Sequence, residues 1–95
     1  MHEEKHAAIN KYLAEKFPGC DIEQMHDFDR GAQTFKLHVA DGSLLLKVGD
    51  EFVEDNSTPE ILRLFNLWGL AEVLCKEKEL GVLVSQRGLE SFRRG

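Results

Sequence analysis

His2 and His6 stand four residues apart with Glu3 between them, a spacing that on a helix places two imidazoles on one side, where a metal ion can be held. Two such donors fall short of the four that a structural site takes, so the expectation is a frayed, solvated first turn and no metal. His26 and His38 fall on neighbouring strands but on opposite faces by strand alternation. His38 beside Glu23 reads as a surface pair, since an exposed dyad lacks the desolvation that general acid–base work relies on. Cys20, after Pro18-Gly19 and next to the acidic Asp21, lacks the electropositive surroundings of a reactive thiol, and no G-x-S-x-G is present. Cys20 and Cys75 form neither a CxxC nor a Cys/His ligand pattern, so both read as reduced, partly buried thiols. Phosphate loops of the G-x-G-x-x-G and G-x-x-x-x-G-K-[ST] kinds are missing. The residues therefore predict no catalytic site, no cofactor and no enzyme.

The charge narrows the partners. Net charge is −5 with histidine neutral, and the 17 acidic residues are spread along the chain, which argues against phosphate-rich ligands. Arg87, Arg93 and Arg94 make a weak basic patch near the C-terminus. Met1 to Lys5 has neither the basic nor the apolar part of a signal peptide, and no apolar run reaches the ~18 residues of a membrane span. A cytoplasmic protein with no membrane partner is the expectation.

The elements that would position these groups follow from periodicity. With 95 residues the chain allows one domain, residues 1–95, with one core and no need of disulfide or metal staples. From His2 to Phe17 the apolar residues repeat as on an amphipathic helix, with Ile9, Leu13 and Phe17 inward, and Pro18-Gly19 turns the chain. Cys20 to Phe28 alternates as a strand with Ile22 and Phe28 inward. Gln24 and His26 share that parity, so either the inner face carries polar groups near an edge or a bulge flips the register. Gln33 to Ala40 follows as a second strand with Phe35, Leu37 and Val39 inward. Asp41-Gly42 suits a two-residue type I′ turn, which sets Val39 opposite Leu44, Leu37 opposite Leu46 and Phe35 opposite Val48. Glu23, Asp27, Lys36, His38 and Lys47 fall on the outer, solvated face. Residues 49–56 read as an acidic connector, with Phe52 and Val53 extending the third strand.

Residues 58–79 carry the only Trp and the densest apolar run, and read as one long helix. Ser57 or Thr58 caps it, Pro59 fits its first turn, and Gly81 lies beyond its end. At ~100° per residue, Leu64, Leu67, Trp68, Ala71, Leu74 and Cys75 form the face toward the sheet. A second stripe, Leu62, Asn66, Gly69, Leu70 and Val73, is left over, and it reads either as covered by the first helix or as a self-association surface. Residues 82–85 add a fourth strand, most simply at an edge, and Gln86-Arg87-Gly88 breaks it.

The fold class is thus α+β in the order α-β-β-β-α-β: a mainly antiparallel sheet of three or four strands with two helices on one face. Its first five elements are similar in order to double-stranded RNA-binding domains. Such domains grip phosphates with basic residues at the start of their second helix, where this chain has Ser57-Thr58-Pro59-Glu60 behind Asp50, Glu51, Glu54 and Asp55. The functional expectation is a non-enzymatic interaction module that binds a second copy or another protein, with Leu62, Asn66, Gly69, Leu70 and Val73 as the interface. A nucleic-acid-binding regulator is the alternative, and a small-ligand-binding domain ranks last.

Overall fold

In the computed structural model, which describes residues 2–40 and 42–93, the elements run α1 (Glu3–Lys16), β1 (Asp21–Asp27), β2 (Ala32–Val39), β3 (Gly42–Gly49), α2 (Asp50–Asp55), α3 (Thr58–Trp68), α4 (Leu70–Lys76), β4 (Leu80–Ser85) and β5 (Gly88–Arg93). The class is α+β, but the expected sheet of three or four antiparallel strands with two helices is too small. Five strands lie in the order β1-β2-β3-β4-β5, antiparallel except for the parallel β3–β4 pair. The chain leaves β3, passes through the three successive helices α2, α3 and α4, and returns as β4 beside β3. A return across the sheet through helices makes neighbouring strands parallel. β5 then folds back on β4 around Gln86 and Arg87, with Ser85 opposite Gly88 and the Arg87 N–H donating to Ser85 Oγ at 3.2 Å. Leu89, Glu90, Ser91 and Phe92 carry too few apolar residues for this edge strand to show in the sequence.

The inner side of the sheet presents Phe35, Leu37, Leu44, Leu46, Val48, Val82 and Val84, all buried. One hydrophobic cluster joins them to Ile9, Tyr12 and Leu13 of α1, Phe52 and Val53 of α2, Ile61 and Phe65 of α3, and Leu70 and Leu74 of α4. Residues 49–56 are therefore no loose connector. Phe52 and Val53 are buried by a short helix and do not extend the strand.

The β2–β3 hairpin keeps the expected faces, but each β2 residue pairs with the β3 residue two positions before the expected one. Val39 faces Gly42, Leu37 faces Leu44, Phe35 faces Leu46 and Gln33 faces Val48. A shift of two leaves every side chain on its face, so the hydrophobic pattern cannot tell the two registers apart. The type I′ turn was expected on Asp41-Gly42. Asp41 lies outside the described residues, and Gly42, with φ of 141°, belongs to the ladder. The β1–β2 ladder runs without a bulge from Asp21↔His38 to Asp27↔Ala32, which leaves Gln24 and His26 on the helix side of an edge strand.

The long helix is broken. Gly69 takes the left-handed conformation, φ 64°, and its N–H turns back to Asn66 O and Phe65 O, ending α3 and starting α4. Ser57 caps α3 as expected, its Oγ accepting from the Glu60 N–H at 3.3 Å. In an unbroken helix, five steps of ~100° would turn Leu70 roughly 140° away from Phe65. The kink resets the phase, so Ile61 and Phe65 face the core from α3 while Leu70 and Leu74 face it from α4. The inward face expected from continuous periodicity is thereby wrong in part: Leu67 is 67% exposed and Cys75 is exposed.

The outer side of the sheet carries no helix among the described residues. Phe92 lies on this side over Gly81, where a Cβ would fall inside the ring. Lys47 reaches over the same ring at 5.5 Å and pairs with Asp27 at 2.8 Å. Gly81→Ala is expected to push the ring off the sheet and cost about 1 kcal/mol, the scale of an aromatic cross-strand contact. In a Phe92→Ala background the same change should cost nothing measurable. Urea midpoints of the four proteins test this, and equal losses in both backgrounds would refute it.

Candidate functional site

β1 is an edge strand, and its helix-side positions beyond Ile22 are polar. Gln24 Nε2 donates to Asn10 Oδ1 of α1 at 3.3 Å and its Oε1 accepts from Gln33 Nε2 at 3.2 Å. Two positions along, His26 Nε2 meets Asp50 Oδ2 of α2 at 2.8 Å. The start of α1 is tied to the same helix: Lys5 Nζ donates to Val53 O at 2.8 Å, and His2 Nε2 stands 3.6 Å from Glu54 Oε1. His2 and His6 meet edge to face with ring centroids 6.4 Å apart, and Phe28 does the same to His26 at 4.4 Å. A depression of about 510 Å³ lies here, walled by His2, His6, His26, Phe28, Asp50 and Glu54.

The first turn of α1 is solvated at Glu3 and Glu4, while His2 and His6 are partly covered. His6 Nε2 is buried without a hydrogen-bond partner, and so is His26 Nδ1. Most buried polar atoms are paired, because an unmade hydrogen bond leaves the desolvation cost uncompensated. His2 is also the only described residue other than glycine with positive φ, at 63°. Side chains rarely sit there without a local reason. Among the described residues, no three His, Cys, Asp or Glu side chains converge as metal ligands in this arrangement.

Burial lowers the His6 pKa from its ordinary 6.5, with His2 pushing the same way and Asp50 opposing. Folding thus disfavours the protonated ring, and between the depressed folded value and 6.5 the unfolded chain binds more protons. The His6 contribution is complete above pH 6.5 and is lost as pH falls from there toward the folded pKa. In metal-free buffer the urea midpoint should drop over that window, and His6→Gln should remove part of the drop. A His6→Gln profile as steep as the wild type would contradict the assignment.

The other histidine behaves as expected of a surface pair, His38 Nε2 lying 3.2 Å from Glu23 Oε1 on the outer face. The five residues expected at an interface do not stay together. Leu70 is wholly buried in the core, Gly69 forms the kink, Leu62 and Val73 are half-buried against the cluster, and Asn66 is exposed. A helix face that includes Leu70 is therefore core, because the kink turns α4 inward and α1 packs alongside α3. The larger exposed apolar side chains are other residues: Phe28 at 86%, Met25 at 67% and Leu67 at 67%. No periodicity could have found the histidine pocket, since it joins the start of α1 to an acidic segment that reads as loop. The spacing of His2 and His6 and the odd parity of Gln24 and His26 were its visible traces.

No known protein family, curated protein or solved structure matches this chain. Among the described residues, no helix is long and apolar enough to cross a membrane.

Proposed function

We propose that the protein is a non-enzymatic interaction module that forms a two-fold dimer through the open face of its sheet. The observation that carries this reading is a five-stranded sheet with helices, among the described residues, on one side, whose other side holds Leu45 and Leu83 on β3 and β4, Phe92 on the β5 edge and exposed Met25 on the β1 edge. Apolar groups gathered on a sheet face favour a covering partner. A second copy suits this face because it carries both signs, Glu23 on β1 and Lys36 on the adjacent position of β2, so a two-fold contact can set acid against base. Strand spacings of ~4.8 Å and rises of ~3.3 Å per residue give a footprint of ~500 Å² per copy. That is modest beside the ~800 Å² of a standard interface, and it fits association at micromolar concentrations or above. The acidic balance of the chain, −5, speaks against nucleic acid as the occupant.

Sedimentation across a concentration series tests the reading. The wild type is expected to dimerise by high micromolar concentration, Leu83→Glu to remain a folded monomer, and Leu67→Glu on the helix side to dimerise as the wild type does. A wild type that stays monomeric, or a dimer that survives Leu83→Glu, overturns the proposal.

A further inference from the structure

We propose that His2, His6 and Glu54 form a site for one divalent transition-metal ion of the zinc class, closing over the junction of α1 and α2. Imidazole and carboxylate together select such ions over magnesium and calcium, which take oxygen ligands. Three protein donors with water in the fourth position make an open tetrahedral site.

One donor pair already stands near the spacing that such an ion needs. Donor atoms on a tetrahedral ion at ~2.1 Å stand roughly 3.4 Å apart, and His2 Nε2 and Glu54 Oε1 are separated by 3.6 Å. Ring centroids of two histidines bound to one such ion lie roughly 5–6 Å apart, against 6.4 Å between His2 and His6. His6 Nε2 is already desolvated and has no partner to give up. Three donors do not yet converge, and His2 supplies the movement that is needed. It stands at the N-cap, makes no capping hydrogen bond, and its side chain is about a third exposed. His26 is fixed by Asp50 and remains outside the ligand set.

This inference is independent of the sheet-face dimer. Calorimetric titration of the untagged, metal-stripped chain with zinc chloride tests it, with thermal unfolding as a second readout. One ion per chain is expected at micromolar affinity, with a raised unfolding temperature and no response to magnesium or calcium. His6→Gln and Glu54→Gln should each weaken zinc at least tenfold. Glu54 is an exposed residue whose change leaves the core alone, so it keeps the test valid if His6→Gln folds poorly. His38→Ala should bind zinc as the wild type does. Absence of stoichiometric binding, binding unmoved by Glu54→Gln, or binding lost in His38→Ala would each overturn the site.

Discussion

Leu70→Glu is expected to leave no folded protein at room temperature, by circular dichroism and by the loss of a cooperative urea transition. Leu70 is fully buried, in one cluster with Phe65, Leu74 and the inward residues of the sheet. Deleting a buried leucine costs about 2–5 kcal/mol. Placing an unpaired carboxylate there adds several kcal/mol more, or forces the group to take up a proton. A chain of this size has only ~5–15 kcal/mol of stability in total. Leu67→Glu, three residues earlier at a position 67% exposed, should change stability by no more than ~0.5 kcal/mol. The contrast separates two readings of the same helix. If Leu70→Glu instead yields a folded, soluble monomer, Leu70 lies at a surface and the kink at Gly69 is misplaced.

The same pair of residues shows what the sequence makes legible. Apolar spacing identifies the helical stretch that starts at residue 58 and a cap at Ser57 or Thr58, since both signals are local, but it runs the helix to 79 where α4 ends at Lys76. It misplaces the inward face because a single glycine in the left-handed conformation changes the phase of everything after it, and a glycine inside an apolar run is equally compatible with a continuous helix. Phe35, Leu37, Leu44, Leu46 and Val48 are legible as core because strand alternation survives a register shift of two. The fifth strand is not legible, since an edge strand partly exposed on both sides carries little alternation.

The histidine pocket was hidden for a different reason. His2 and His6 are visible as a spaced pair, but their surroundings come from β1 and α2, which long-range packing brings to them. Asp50 and Glu54 lie on one side of α2 by their own spacing of four, and α2 itself was unreadable. Six residues with no side-chain cap at the start and no cation in the last turn have little intrinsic reason to be helical. Their helicity is a product of tertiary packing.

That dependence sets the last expected result. Phe52→Ala should cost about 3–5 kcal/mol, the range for a buried phenylalanine, and should loosen α2 before the rest of the fold. Phe52 is 1% exposed, stacked 6.2 Å from Phe65 and tilted 5.9 Å from Trp68, so it joins α2 to α3. Without the ring, α2 keeps Val53 as its one buried apolar side chain, with polar ties that include those of Lys5, Asp50 and Gln86. Hydrogen exchange at the amides of residues 50–55 should accelerate by more than at β2 and β3, and Trp68 fluorescence should shift because its aromatic neighbour is gone. Glu51→Ala, exposed on the same helix, should stay within ~0.5 kcal/mol of the wild type. Because Asp50 and Glu54 are carried on α2, the histidine pocket should open in Phe52→Ala even where the sheet remains intact. Uniform acceleration of exchange across α2 and the sheet would mean that the short helix unfolds only with the whole domain, and that Phe52 contributes to a single cooperative core without singling out α2.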